Sequence, residues 1–208
     1  MQLDLSSPSL SDDRRRELGL PYLSVFSKGA LLITEGKELD DIVIEWAQRL
    51  ICDRIGTKFQ SSLLSQRSFS PAANGHIQIH HTGGFHWVTS HFSNGQVYLA
   101  DSLFHGEIHP CLAKQLKELY PTVVNCNNNI EVFVIPVQQQ PNGIDCGVYA
   151  TALGFDLALG TDLSKILYNH DLMRAHLLKC AKTWHFEPFP KISSASKLRR
   201  VQMIVLNC

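Results

Sequence analysis

Between Asp40 and Arg54 the apolar positions recur at helical spacing: Val43, Ala47, Leu50, Ile51 and Ile55 form one stripe, and Glu45, Gln48, Arg49 and Asp53 fall on the other side. Asp40 or Asp41 is placed to cap this helix. The period then changes. His76 to His80, Phe85 to Phe92 and Gln96 to Ala100 read as successive strands, separated by Gly83-Gly84 and by Ser93-Asn94-Gly95, whose Asn-Gly pair is a strong hairpin signal. Together they predict an antiparallel meander. Pro110 to Tyr120 reads as a short amphipathic helix with Leu112, Leu116 and Leu119 inward. Asn125 to Asn129 is a polar turn, and Glu131 to Val137 is an apolar run suited to a strand covered on both faces. A helix from Cys146 runs through Ala150, Leu153 and Leu157 to near Gly160, and another spans Asp171 to Lys182 with Leu172, Ala175 and Leu178 along one face.

The remaining stretches are less patterned. Residues 1–28 carry no clear period, Ser27 to Ile33 is a short apolar run, and Phe59 to Ala73 reads as loop or short helix closing at Asn74-Gly75. Val201 to Leu206 is either an added edge strand or a terminal tail. The order of elements predicts an α+β domain with a mainly antiparallel central sheet packed by helices. The expected division is an N-terminal extension over 1–28, one domain over 29–190 and a tail over 191–208.

Composition changes this picture mainly by exclusion. The chain has 208 residues, 44% of them hydrophobic, with 19 basic and 19 acidic residues balancing to zero formal charge. Nothing global therefore directs it to nucleic acid or to an acidic membrane surface. The Ser- and Asp-rich start lacks a basic n-region followed by an apolar run, and no window approaches the roughly 18 apolar residues of a membrane span. These features predict a soluble, monomeric, intracellular protein, cytoplasmic or nuclear. Cys52, Cys111, Cys126, Cys146, Cys180 and Cys208 are scattered, with neither a disulfide framework nor a C-x-x-C pair. His76, His80 and His81 cluster, but no cysteine or carboxylate at ligand spacing completes a metal site, so no metal or cofactor is expected. Lys197-Leu198-Arg199-Arg200 reads as solvated charge.

Chemistry concentrates around Cys146. It opens a helix after the turn Pro141-Asn142-Gly143, where free backbone N–H groups and the helix dipole favour a thiolate. A thiol nucleophile needs a base, and histidine titrates near neutrality. His86 lies in a predicted strand beside Trp87, and Asp101 ends the next strand, so the pair can meet across the hairpin and hold the imidazole towards Cys146. Gln140 precedes the turn with an amide able to donate to an oxyanion alongside the Cys146 backbone N–H; Gln138 and Gln139 compete for that role.

His86-Trp87, then Asp101, then Gln140-Pro141-Asn142-Gly143-Ile144-Asp145-Cys146-Gly147 resembles, in order and in local motif, the Ulp/SENP cysteine proteases that cleave ubiquitin-like modifiers. The resemblance implies a papain-like fold, with Cys146 as nucleophile, His86 as base, Asp101 as orienting carboxylate and Gln140 in the oxyanion hole. It also implies a ubiquitin-like modifier (SUMO, ubiquitin or NEDD8) and its conjugates as partners, cleaved after Gly-Gly. The family's Trp-Leu-Asn-Asp segment is matched by Glu38-Leu39-Asp40-Asp41, and substrate contacts are expected at Trp87, Gly147, Asp41 and Glu38. Glu38 stands where the family has a tryptophan that walls the Gly-Gly tunnel, which keeps an alternative in view: a viral- or mobile-element-type endopeptidase of the same fold acting on peptides or polyproteins. Acyl transfer on a related scaffold is a weaker competitor because no basic cluster near the motifs suits a phosphate-bearing donor or activator, and an inactive binding module is weaker because all four catalytic positions are filled.

Overall fold

The computed structural model describes residues 22–63, 68–192 and 202–206. Its first helix, α1 (Tyr22–Thr34), takes in the short apolar run from Ser27 to Ile33, to which no helix was assigned from sequence. α2 (Asp41–Ile55) starts where Asp40 accepts from the Val43 N–H at 3.0 Å, so Asp40 rather than Asp41 is the cap, and it stops at Gly56, whose φ of 79° few other residues adopt. Three strands follow: β1 (Ile77–His81), β2 (Trp87–Ser93) and β3 (Gln96–Ala100). Asn94 and Gly95, with φ of 53° and 74°, make the tight β2–β3 turn that the Asn-Gly pair predicts. Next come α3 (Pro110–Leu119), β4 (Ile130–Ile135), α4 (Cys146–Ala158), β5 (Leu167–Tyr168), α5 (His170–Thr183), β6 (Lys191–Ile192) and β7 (Gln202–Leu206).

The main sheet has the order β1-β2-β3-β4-β7, antiparallel except where β3 and β4 run parallel. Thus the apolar tail segment is an edge strand, paired with β4. Strand alternation divides the interior in two. Trp87 and Ala100 join Ile44, Ile51, Ile79, Tyr149, Leu153 and Leu177 in a core shared with α2, α4 and α5. Val88, Phe92, Val97, Leu99, Val132 and Val134 point the other way, onto Leu112, Leu116, Leu119 and Tyr120 of the α3 region. α4 is buried on all sides, and Thr89 Oγ1 of β2 donates to its Ala150 carbonyl at 2.8 Å.

Four expectations need correction. His86 precedes β2 instead of lying inside a strand, although its carbonyl still accepts from Thr82 N. β4 alternates, with Ile130, Val132 and Val134 buried and Glu131 exposed, because helices cover only one of its faces fully. In α5 the inward residues are Met173, Leu177 and Cys180, while Leu172 is 49% exposed; weighting leucine over methionine and cysteine misplaced the stripe. Gln48 of α2 is buried, donating to Gln60 O and Ser62 Oγ while its own oxygen accepts from Gln78, so loop polar groups and not water satisfy it.

A polar chain runs through the α3-side core. The Tyr120 hydroxyl meets Ser90 Oγ at 2.6 Å, Ser90 Oγ meets His80 Nε2 at 2.7 Å, and His80 Nδ1 meets Gln115 Oε1 at 3.0 Å. Gln115 Nε2 donates to His81 O, so its oxygen is the atom that faces His80, and the Nδ1-protonated neutral tautomer fits both partners. Burial pushes His80 down to about 4. Between that value and an unfolded value of about 6.5 the unfolded chain takes up a proton that the folded one refuses, so stability falls as the pH drops through this window. Urea unfolding of the parent and of His80→Gln is expected to show the parent's advantage shrinking from pH 7 to pH 4.5, by on the order of 3 kcal/mol at most.

Candidate active site

Cys146 is the first residue of α4 and only 2% exposed. Asp145 occupies the N-cap position, yet its side chain makes no capping bond. Its carboxylate turns away, accepting from Arg174 Nε at 2.6 Å and from Asn142 Nδ2 at 2.7 Å, with His170 Nε2 at 3.5 Å. The first-turn amides are thereby left for negative charge outside the helix. Asp145 is only 3% exposed, and Arg174 on α5 neutralises it. The same guanidinium donates to the carbonyls of Leu32, Ile33, Lys37 and Ile144, binding the end of α1 and the segment after it to the turn before Cys146. That turn is closed by Asn142 Oδ1, which accepts from the Ile144 and Asp145 N–H groups.

His86 reaches the same place from the sheet. Its Nε2 is 2.7 Å from Asp101 Oδ1, which also accepts from Leu103 N at 2.8 Å, so Asp101 both orients the imidazole and starts the turn after β3. His86 Nδ1 is buried with no hydrogen bond of its own, and it is the nitrogen left for Cys146. Burial, the largest single effect, opposes charge on this ring; hydrogen bonding and charge from Asp101 and Cys146 together outweigh it and push His86 up to about 9. Thiol, imidazole and carboxylate thus lie side by side at the start of α4. Cys146 Sγ also lies 3.9 Å from the carbonyl oxygen of Phe85.

The three neighbouring glutamines separate by their bonds. Gln138 holds Tyr168 through both its N–H and its carbonyl, and Gln139 donates to Asp101 O and Val137 O. Gln140 is fixed by Ser102, whose hydroxyl donates to Oε1 at 2.7 Å and whose carbonyl accepts from Gln140 N at 2.8 Å. One amide hydrogen of Gln140 goes to Asn142 O, and the second has no partner among the described residues.

The expected substrate contacts behave differently. Trp87 is 4% exposed, donates Nε1 to Leu39 O at 2.9 Å and packs edge-on against His81, so it props the segment before α2. A Cβ on Gly147 would sit 3.0 Å from Leu39 Cβ, which means that Leu39 uses the clearance assigned to a substrate tail. Glu38 is exposed, and Asp41 is half-buried in the first turn of α2. Sequence patterns did not single out Arg174, Ser102, Leu39 or Phe85. Only the unusual placing of an aspartate beside the thiol hinted that a cation must come from elsewhere in the chain.

Compared with known proteins, the chain matches no family model. Over 80 residues it is 31% identical to NEDD8-specific protease 1 of Schizosaccharomyces pombe, a match covering 36% of this chain and only 18% of that protein. Among solved structures, the SUMO protease Ulp1 with its catalytic cysteine oxidised to a sulfonic acid superposes with a TM-score of 0.57 at 16% identity, over 85% of this chain and 97% of that one. The C-terminal Ulp1 protease domain in complex with Smt3, the yeast ortholog of SUMO, gives 0.55 at 15% identity over 86% and 97%. A de-sumoylating protease gives 0.52 at 15% identity over 76% and 85%. The chain is an α+β protein with the fold of the Ulp/SENP-type cysteine proteases.

Two outcomes are expected from this geometry. Arg174→Met leaves the buried Asp145 carboxylate without its cation and lowers unfolding stability by about 3 kcal/mol in urea denaturation. The raised value of His86 implies a stabilisation fully present below about pH 6.5 and lost as the pH rises through about 9, because the folded state alone keeps the proton in between. The stability difference between the parent and His86→Gln should shrink accordingly when measured from pH 6.5 to pH 9.5.

Proposed function

We propose that this protein is a cysteine protease of the thiol-imidazole type that hydrolyses the peptide or isopeptide bond after the C-terminal Gly-Gly of a ubiquitin-like modifier. The observation that carries the proposal is the 2.7 Å contact between His86 and Asp101 on a ring whose other nitrogen is left for Cys146. Kinship in fold with Ulp1 and the partial match to a NEDD8-specific protease support the substrate class.

In this mechanism His86 Nδ1 takes the Cys146 proton and the thiolate attacks the scissile carbonyl carbon. The oxyanion that forms is held by the free hydrogen of Gln140 Nε2 and by the Cys146 backbone N–H. His86 then gives its proton to the leaving amine as the C–N bond breaks, which leaves a thioester on Cys146. Water, deprotonated by His86, adds to the thioester; collapse releases the modifier's carboxylate and returns the proton to sulfur. Asp101 keeps the ring in the tautomer and orientation that this exchange requires. Buried water-poor surroundings strengthen each of these contacts.

One observation favours a second function. With Glu38 exposed and Trp87 turned into the core, the aromatic walls expected around a Gly-Gly tail are not both presented to substrate, which suits an endopeptidase acting on ordinary peptides. The decisive experiment exposes the protein to SUMO, NEDD8 and ubiquitin carrying C-terminal electrophiles, next to a mixture of unrelated peptides. A covalent adduct with one modifier, absent in Cys146→Ala, is the expected result. Peptide cleavage with no adduct would transfer the proposal to the endopeptidase, and turnover by Cys146→Ala at the parent rate would remove Cys146 as nucleophile.

A further inference from the structure

The loop between β1 and β2 is closed by the Thr82 N–H, which donates to His86 O at 2.8 Å, and its tip is Gly83-Gly84-Phe85. Gly83 has φ of 90°, which suits glycine, and a Cβ there would strike Cys111 Sγ at 3.0 Å. Phe85 also has positive φ, at 58°, in the left-handed region that disfavours a bulky L-residue. Glycine or asparagine is the ordinary occupant of such a position in a short hairpin loop. Burial does not repay that strain, because Phe85 is 79% exposed, the most exposed large apolar side chain among the described residues. Its backbone is anything but remote: its carbonyl oxygen is 3.9 Å from Cys146 Sγ, and the next residue is His86. Backbone strain held at a reacting centre, with an aromatic ring facing solvent, points to a contact made only when substrate is present. Two residues before Cys146, Ile144 is 37% exposed, and its carbonyl accepts from Arg174 Nη2 at 3.4 Å.

Resting on the protease function proposed above, we infer that Phe85 is a specificity-determining residue, whose ring closes over the extended C-terminal tail of the modifier as the tail enters towards Cys146. The ring supplies an apolar wall that the inward-turned Trp87 and the polar Glu38 do not present. It favours a tail with little side-chain bulk beside the scissile bond and apolar atoms behind it. What Phe85 places beside the thiol is its backbone carbonyl, which a substitution of the ring leaves in the chain.

Opposite effects on folding and on turnover provide the test. Phe85→Gly and Phe85→Asn both suit a positive φ and remove the ring; Phe85→Trp keeps an aromatic surface. With SUMO, NEDD8 and ubiquitin C-terminal coumarin amides as substrates, the Gly and Asn variants are expected to lose about tenfold to a hundredfold in kcat/KM, chiefly through KM. Their thermal midpoints should stay equal or rise, and alkylation of Cys146 by iodoacetamide should proceed at the parent rate. Phe85→Trp should retain kcat/KM within about threefold. An active parent whose Gly and Asn variants match it in kcat/KM would overturn the role of Phe85 and leave the protease function standing. Slowed alkylation in those variants would equally overturn it, by showing that the residue acts on the thiol. A parent that turns over none of the three substrates would overturn the modifier-directed function and this inference with it.

Discussion

The buried pair between Asp145 and Arg174 is the contact on which the site depends. An aspartate immediately before a helical cysteine would ordinarily cap its own helix and spend the first-turn amides on itself. Here Arg174 draws the carboxylate aside, and the amides remain for the sulfur or for an oxyanion. A buried pair of this kind adds little net stability over apolar packing, but removing one partner is costly, so it acts chiefly as a fixed register point. Four backbone carbonyls on the same guanidinium extend that register to the end of α1, to Lys37 and to Ile144. The turn before Cys146 is therefore positioned by helices from both ends of the chain.

The sheet contributes the other half. His86 and Asp101 sit at the ends of β2 and β3, where strand geometry holds their backbones and neither has to be oriented by a long loop. Thr89 fastens β2 to α4 through the Ala150 carbonyl, so the imidazole and the sulfur are referred to one rigid contact. Trp87 and Gly147 both serve that packing. Leu39 fills the hollow left by Gly147 and accepts from the Trp87 indole, drawing β2, α4 and the start of α2 together. Trp87 and Gly147 are thus committed to packing, Glu38 stays exposed, and Phe85, in a strained conformation, faces outward with its carbonyl beside the sulfur.

On the opposite face of the sheet, the Tyr120-Ser90-His80-Gln115 chain has the chemical makings of a relay and none of the access. Ser90 and His80 are fully buried, and His80 is held neutral by its surroundings. It specifies how α3 seats on β1 and β2, as a satisfied polar network does in a core. The same residue type is pushed in opposite directions at the two places because His86 has a carboxylate and a thiol beside it, whereas burial dominates at His80, whose hydrogen-bond partners are neutral.

The sequence alone determined the α+β class, the β2–β3 hairpin at Asn94-Gly95 and the inward face of α3, and it put forward Cys146, His86, Asp101 and Gln140 as the candidate quartet. Each is written in local terms: a period, a turn dipeptide, or a motif whose members lie close along the chain or on neighbouring strands. Tertiary structure decided what local pattern cannot hold. The bonds of the three glutamines are one example: Gln138 holds Tyr168, Gln139 donates to Asp101 O, and Gln140 is fixed by Ser102. The inward stripe of α5, the burial of Gln48 and the one-sided cover of β4 depend on which neighbour packs there. Arg174 lies far along the chain from α1 and well beyond Asp145, and charge pairing across such separations leaves no periodic trace. Nor does a solvent-facing Phe85: only the folded backbone reveals that its φ is positive and its carbonyl lies against the sulfur.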